Sequence, residues 1–393
     1  MRYSCLCLAP LSLLVLSAWA NTAFDSKPWL EDLEQVRVAF ATQYPDLEWE
    51  VFERDLDLSS MFARARDQVS AATSDAAAKA ALVALTQQFG DRHVQISWKT
   101  GGSPTKVAGG SLSCAALGYS TSMQAAPLAA LIPGATALRG WQSDTFPIAM
   151  LRSHGRSIAI LKIKLFMPQG FPQHCETAIH QLSLDATKPC DEDCAERISA
   201  AASAQMTTDF AQALRSVRAA GADVLLIDLT GNVGGSEWSE AAARMVTPIR
   251  LESTPMYFMK GDHWARRLAT KEQQVRTAAA AATGADRQFL LELADVVAAR
   301  KRDAQTPCDG TPLWSGQHPS CTWLGDGFYS TGLLRSGETR ELRGKSWAPL
   351  VFTPLQYPYQ EGIWRGPLLV VVNGDTDLPQ SSLPRNFRIT TPP

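Results

Sequence analysis

The sequence predicts a mixed α/β fold, with a helical region before the sheet and a helical insertion within it. Residues 223–229 and 367–372 are nearly continuous apolar runs, which are typical of parallel strands covered on both faces. In the second half of residues 157–166 apolar and polar side chains alternate. The segment is also rich in β-branched side chains, and both features predict a third strand. Helix, buried strand, glycine turn and helix follow one another around residues 208–245. This order indicates an α/β unit with a right-handed crossover.

Composition and charge exclude several classes of partner. The chain has 393 residues, 45% hydrophobic and 19% charged, as expected of a globular protein with one large domain or two ordinary ones. Its formal net charge is −2, and lysine and arginine are scattered along the chain. It therefore offers no electrostatic footprint for nucleic acid or for an anionic membrane. The oligomeric state is not predicted.

The first twenty residues have the pattern of a signal peptide. Arg2 supplies a positive start, and the apolar stretch at residues 8–19 is too short to span a bilayer. Ala18 and Ala20 complete the small-x-small pattern that signal peptidase reads. We expect cleavage after Ala20 and a mature protein in the periplasm or secreted; a buried N-terminal helix is the alternative.

The remainder divides into regions of different composition. Residues 21–100 are predicted to form a helical N-terminal domain, and residues 101–156 a loop-rich connector. The α/β core is predicted at residues 157–376. Residues 265–365 form an insertion in this core, first a long helix and then a set of aromatic hairpins. Residues 377–393 show no periodicity.

Eight cysteines are present, and Cys5 and Cys7 should leave with the signal. The six that remain, an even count in an oxidising compartment, favour disulfides: Cys114, Cys175, Cys190, Cys194, Cys308 and Cys321. Cys308 and Cys321 flank a loop rich in proline and glycine and are the best pair. Cys190 and Cys194 each have Cys175 as a possible partner. The alternative is a metal site, although its spacings match no zinc pattern; it would use His174, Cys175, His180, Cys190 and Cys194.

The most informative segment is Leu226-Ile-Asp-Leu-Thr-Gly-Asn-Val-Gly-Gly235. Two adjacent glycines after a buried strand let the backbone approach a ligand and aim N–H groups outward at a helix start. Such a turn can hold a phosphate or a developing oxyanion. The segment has neither Gly-Lys-Ser/Thr nor a properly spaced G-x-G-x-x-G, the two phosphate fingerprints. Alone, it is equally well a generic turn between strand and helix.

Three segments, in order, resemble motifs of the tail-specific (carboxy-terminal processing) serine peptidases. Residues 228–235 resemble Asp-Leu-Arg-x-Asn-x-Gly-Gly, with Thr-Gly in place of Arg-x. Residues 82–94 resemble the family's helix-end motif, in which leucines are followed by Asp-x-His. Val370-Val-Val-Asn-Gly-Asp-Thr376 resembles the strand before the family's Thr-Ala-Ser-Ala-x-Glu nucleophile turn. The set covers most of the chain between residues 30 and 376.

The resemblance implies a crotonase/ClpP-like βαβ spiral and an endopeptidase that attacks near the carboxyl end of unfolded or tagged polypeptides. It implies Gly234 and Gly235 as oxyanion-hole donors and His93 as the general base of the tricorn-core-like branch. The lysine-using branch carries a PDZ domain, for which residues 101–153 are too few. No cofactor or metal is implied. His93 alone is also consistent with a histidine resting near helix carbonyls. The other histidines are predicted to be surface or structural residues: His154, His174, His180, His263 and His318.

The resemblance stops after Thr376, where the nucleophile is expected but not present. Ser381 and Ser382 lack the flanking motif, and nearby prolines would disrupt the helix start on which a nucleophile sits. Back-translation with a one-base shift across residues 377–390 permits Thr-x-Ser-x-x-Glu and a later Asp-Asn pair, as in the family. We therefore expect a frame-disrupted, truncated and inactive peptidase; a natural divergent tail is the alternative.

A second function remains open on the same fold. The family includes interphotoreceptor retinoid-binding modules, which bind hydrophobic ligands without hydrolysis. The aromatic-rich residues 347–364 are candidates to line such a groove, and core packing is their other interpretation. The two hypotheses are therefore a serine peptidase acting on polypeptides and a hydrophobic-ligand carrier.

Overall fold

The structure is a computed structural model, and it describes most of the chain between residues 24 and 373. The described ranges are 24–91, 93–98, 112–121, 127–319, 323–325, 327–336 and 341–373. Across them, one five-stranded sheet and ten α-helices form a mixed α/β architecture, as predicted. The chain separates into two compact units, Met1–Trp98 with Asp309–Ser320, and Lys99–Cys308 with Cys321–Pro393. The predicted signal peptide lies outside the described residues.

The first unit is helical. Its helices are α1 (Lys27–Gln43), α2 (Leu47–Phe52), α3 (Leu58–Ser70) and α4 (Asp75–Thr86). Side chains cap two of them: Asp57 accepts the N–H of Ser60, and Ser74 accepts the N–H of Ala77. Residues 309–320, which the sequence had placed in the core insertion, belong to this unit instead. The N–H of Gly310 donates to the carbonyl of Ala41 at 2.6 Å.

The sheet lies in the second unit. Its strands are β1 (Thr136–Ala137), β2 (Ile148–Ser153), β3 (Arg156–Lys162), β4 (Val224–Asp228) and β5 (Leu368–Val371), and they follow this order across the sheet. β1, β2 and β3 pair antiparallel, whereas β3, β4 and β5 pair parallel. His154 and Gly155, with φ of 50° and 75°, form the tight turn between β2 and β3.

Two strand predictions need correction. The sheet begins before residue 157, because β2 lies within the predicted connector. β5, predicted to be a buried strand, is only partly buried, and Leu369 is 47% exposed. Among the described strands, β5 pairs with β4 alone and is therefore an edge strand of the sheet.

The remaining helices all belong to the second unit. They are α5 (Pro172–Gln181), α6 (Glu192–Ala219), α7 (Trp238–Met245), α8 (Asp262–Ala281), α9 (Gly284–Ala304) and α10 (Ala348–Val351). α7 has its predicted bounds. The predicted single helix of the insertion is two helices, because Ala282 and Thr283 are extended and Gly284 has a φ of 56°. The predicted hairpins were wrong: the described part of that stretch holds short helical turns and isolated bridges.

Aromatic side chains fill the core beside the sheet. Phe146, Phe210 and Trp238 are fully buried and pack against one another. The indole N–H of Trp238 donates to the Thr207 hydroxyl at 2.9 Å, so its polar atom is satisfied. Most large aromatic residues of the 347–364 stretch are buried as well; they are Phe352, Tyr357, Tyr359 and Trp364. Their burial agrees with the interpretation of residues 347–364 as core packing.

Two disulfides link four of the five described cysteines, Cys114 with Cys175 and Cys190 with Cys194. Pairing of Cys175 with Cys190 or Cys194 was therefore wrong, and the four bonded sulfurs are not free to act as metal ligands. Cys308 is buried. Its predicted partner, Cys321, lies outside the described residues, so that pair stays a prediction. Among the described helices, none is long and apolar enough to cross a membrane.

Candidate active site

A glycine turn leaves the sheet at the carboxyl end of β4. β3 and β5 run parallel to β4 on either side, so all three strands end at the same edge. Lys162 lies opposite Asp228 in the first pair, and Asp228 lies opposite Val371 in the second. In open α/β sheets this edge is where ligands bind. Residues 228–235 therefore occupy the place in the fold where a site is expected.

A buried ion pair supports the start of the turn. Asp228 is 0% exposed and Lys162 is 1% exposed, and Lys162 Nζ lies 3.4 Å from Asp228 Oδ1. Nζ also donates to the carbonyl and hydroxyl oxygens of Thr230. Asp228 Oδ1 accepts the Thr230 N–H at 2.9 Å, and Oδ2 accepts the Leu128 N–H at 2.6 Å. Burial lowers the pKa of Lys162, and the Asp228 carboxylate opposes that shift.

The two predicted oxyanion donors differ in their surroundings. Gly234 is buried, and its N–H donates to Asn232 Oδ1 at 2.8 Å. Gly235 is exposed, and within the described residues its N–H donates to no protein group. An added Cβ at Gly235 would lie 2.6 Å from the carbonyl carbon of Phe166, and φ is 144°. Only glycine therefore fits there, and of the two glycines it is Gly235 whose N–H has no partner among the described protein groups.

Hydrogen bonds to the segments that follow β3 and β5 fix the rest of the turn. Asn232 Nδ2 donates to the carbonyl of Ile163 at 3.0 Å, and the N–H of Phe166 donates to the carbonyl of Gly234 at 2.9 Å. The N–H of Gly231 donates to Asn373 Oδ1 at 2.8 Å. Asn373 thus ties the turn to the segment that leads toward Thr376. Thr376 itself and the two candidate serines, Ser381 and Ser382, lie outside the described residues.

His93 belongs to the first compact unit, whereas the glycine turn belongs to the second. The His93 side chain is 82% exposed, and its Nδ1 lies 2.7 Å from Asp91 Oδ1. The same oxygen accepts the backbone N–H of His93 at 2.8 Å. α4 ends at Thr86, so the ring pairs with a carboxylate and not with helix carbonyls.

Two residues that support the glycine turn were not singled out from the sequence: Lys162 and Asn373. A lysine within a buried strand is the signal for Lys162, because a charge there requires a partner. In the first unit, Asp91 and His93 are the Asp-x-His pair of the helix-end motif. Asn373 carries no local signal, since its role depends on the pairing of β5 with β4.

Comparisons with known proteins add a likeness of fold. No protein-family model matches the chain, and no curated protein matches it. Two solved structures of mature CPAF, a chlamydial serine protease, are similar to it, one of them complexed with lactacystin. Each is 13% identical and covers 89% of this chain, with TM-scores of 0.47 and 0.48 and with 80% and 79% of the CPAF chains covered. A likeness at this level carries no argument about chemistry.

Proposed function

We propose that this chain is a polypeptide-binding protein of the tail-specific serine peptidase type, of the tricorn-core-like branch, acting outside the cytoplasm. The observation that carries the proposal is Gly235, an exposed residue in the turn after β4, at a position that admits only glycine and whose N–H has no partner among the described protein groups. A donor held in this way binds a substrate carbonyl and strengthens its bond as the oxygen becomes an oxyanion. The finer expectation of a crotonase/ClpP-like spiral core is part of this proposal.

The roles of the glycines follow from their hydrogen bonds. Gly235 is the oxyanion donor, and Gly234 holds the turn through Asn232. His93 keeps the role of general base that the resemblance implies, with Asp91 orienting its ring as the carboxylate of a serine triad does. The nucleophile belongs just after Thr376. Without a serine in the family's motif there, the covalent route is closed and binding remains.

A fluorophosphonate probe tests the catalytic part. We expect the full chain to stay unlabelled. A variant with Asp377→Ala, Leu378→Ser, Pro379→Ala and Ser381→Glu restores the family's motif after Thr376, and we expect it to be labelled. Leu378→Ala in the same background is the matched control and should abolish labelling. His93→Ala in the motif-restored variant should slow labelling by about 100-fold or more, the usual contribution of a general base.

Binding by the unmodified chain tests the proposal independently of the nucleophile. When the full chain is added to a fluorescein-labelled unfolded polypeptide, the fluorescence anisotropy of the polypeptide should rise. The polypeptide should remain uncleaved. A fluorescent fatty acid or retinoid serves as the competing ligand, and tight binding of it without polypeptide binding would favour the carrier. Absence of both polypeptide binding and labelling of the folded, motif-restored variant would refute the peptidase type.

A further inference from the structure

A polar cavity of about 400 Å³ lies in the second unit, away from the glycine turn in sequence. The start of α5, the middle of α6 and the segment before β2 enclose it. Its floor is buried, since Thr145 and His174 are each 3% exposed, whereas the side chain of Asp209 is 31% exposed. Sites for small molecules have volumes of about 300–1,000 Å³, so the cavity is large enough for one. The peptidase proposal uses none of these residues.

Hydrogen bonds within the wall of this cavity engage its donor groups. Gln205 Nε2 donates to Asp209 Oδ1 at 2.8 Å. Gln173 Nε2 donates to Thr145 Oγ1 at 3.0 Å, and the Thr177 hydroxyl donates to the backbone carbonyl of Gln173 at 2.8 Å. Within the described residues, no donor bonds to the side-chain carbonyl oxygen of either glutamine. The wall therefore presents mainly hydrogen-bond acceptors to the cavity.

The second carboxylate oxygen of Asp209 lacks a protein donor. Because Thr145 Oγ1 accepts from Gln173, its own hydroxyl hydrogen is free to bond to His174 Nε2, 3.2 Å away. Burial lowers the pKa of His174, although Asp209 opposes the shift, so the ring is neutral at neutral pH and Nε2 accepts that hydrogen. Asp209 Oδ2 lies 3.7 Å from the same Nε2, too far for a hydrogen bond. Among the described residues, Oδ2 is thus an acceptor left for a ligand that donates.

The charge of the wall selects the kind of donor. Of the described residues that line the cavity, none is lysine or arginine, and two are carboxylates, Asp144 and Asp209. Lys164 lies outside this lining, donates to the backbone carbonyl of Asp144 and is near enough to offset the charge of that residue. The negative charge of Asp209 has no such cation beside it. A cation with several N–H groups therefore fits the cavity better than an anion or an aliphatic ligand does.

We propose that this cavity binds an organic cation carrying a guanidinium group. Asp209 is its counter-ion, and the amide oxygens of Gln173 and Gln205 accept further N–H groups. A guanidinium has five N–H donors in a planar fork, whereas an ammonium has three, so it matches a wall of several separate acceptors. Charge-assisted hydrogen bonds of this kind are roughly twice as strong as neutral ones. The group belongs either to a free small molecule or to an arginine side chain of a polypeptide, which present the same chemistry.

Calorimetric titration of the full chain with butylguanidine, in amine-free phosphate buffer of low ionic strength, tests the proposal. We expect one site per chain. Butylurea has nearly the same shape without the charge, and as the matched control ligand it should not bind detectably. Asp209→Asn should weaken butylguanidine binding by about tenfold or more, because the counter-ion is lost. Glu196→Gln removes an equal charge from an exposed position on the same helix and should leave binding unchanged.

The peptide Gly-Arg-Gly, acetylated and amidated, separates the two sources of the guanidinium group. Tighter binding of this peptide than of butylguanidine assigns the site to an arginine side chain. Equal or weaker binding assigns it to a free cation. Either result supports the cavity as a guanidinium site.

The fold of each variant is checked by circular dichroism and by its thermal transition. Asp209 is partly exposed, so Asp209→Asn should fold. Butylguanidine binding by the folded Asp209→Asn variant equal to that of the wild type would overturn the site, as would an equal loss in Glu196→Gln. Butylurea binding as tight as that of butylguanidine, tighter binding of butylamine, or no binding of butylguanidine by the wild type would also overturn it.

Discussion

Lys162 and Asp228 face each other across the parallel pair of β3 and β4 and form a buried ion pair directly beneath the glycine turn. Burial of two charges is costly unless their remaining atoms are hydrogen bonded. Here the remaining bonds go to Thr230 and to the Leu128 N–H. The pair therefore couples the core of the sheet to the backbone of the turn.

Removing one partner of this pair should be strongly destabilising. We expect Lys162→Met to lower the free energy of unfolding by about 3–5 kcal/mol, because it leaves a buried carboxylate unpaired. Adding Asp228→Asn should recover part of that loss by removing the charge. Urea denaturation of the single and double variants measures both.

An exposed ion pair provides the control for that experiment. Lys188 and Asp185 lie 3.7 Å apart, with side chains 77% and 48% exposed. Lys188→Met should change the free energy of unfolding far less than Lys162→Met does, because solvent screens an exposed pair. Equal effects of Lys162→Met and Lys188→Met would show that the buried pair does not stabilise the core.

Gly235→Ala should destabilise the protein more than a substitution at another glycine with positive φ. Its Cβ would meet backbone atoms of Phe166, whereas a Cβ on Gly221, with φ of 71°, would meet no atom within 4 Å. Gly221→Ala therefore carries only the backbone cost of about 1–2 kcal/mol. Gly235→Ala adds an overpacking cost of about 1–3 kcal/mol. Thermal unfolding of both variants gives the comparison, and a smaller effect at Gly235 would contradict the tight approach to Phe166.

The two disulfides should contribute unequally. Cys114 and Cys175 are 61 residues apart, whereas Cys190 and Cys194 are 4 apart. In the chain-entropy account, replacing the first pair by serines costs about 4 kcal/mol and replacing the second about 2 kcal/mol. Denaturant unfolding of the two double variants tests this order.

Non-reducing peptide mapping checks which cysteines are paired. We expect peptides containing Cys114 and Cys175 to be linked. The same map decides whether Cys308 is linked to Cys321. Finding free thiols at both of those positions would refute the pair predicted from the sequence.

His263 should make the protein less stable in mild acid. Burial, with Arg267 and Arg266 nearby, lowers the pKa of His263 from its ordinary value, although Asp262 opposes the shift. Between that lowered pKa and about 6.5, the unfolded chain binds more protons than the folded one. Stability therefore rises with pH across this window and is lost as pH falls through it.

His263→Gln removes that contribution. We expect the unfolding free energy of the variant to fall less steeply than that of the wild type as pH is lowered from about 6.5 to 5. Above about pH 7 the difference between the two proteins should be constant. If the unfolding free energies of the two proteins fell in parallel throughout the acid range, His263 would not be the group responsible.

The local sequence pattern was sufficient to predict those helices and strands whose surroundings are the same along their whole length. β4 is a continuous apolar run, and α7 has apolar residues at helical spacing, so both lie where predicted. The break between α8 and α9 was missed, because alanine-rich sequence continues across it and the turn depends on how the two helices pack. The hairpins predicted after them were wrong because aromatic residues there fill the core as irregular chain.

The sequence by itself determined the α/β class, the helical start, the glycine turn after β4 and the Asp-x-His pattern at Asp91 and His93. These depend on residues close together in the chain, whose backbone preferences and spacing can be seen directly. Only the tertiary structure decided that Lys162 meets Asp228, that Cys114 pairs with Cys175, and that Gly235 lies against Phe166. Those relationships depend on strand register and on contacts across 60 or more residues, which no local preference specifies.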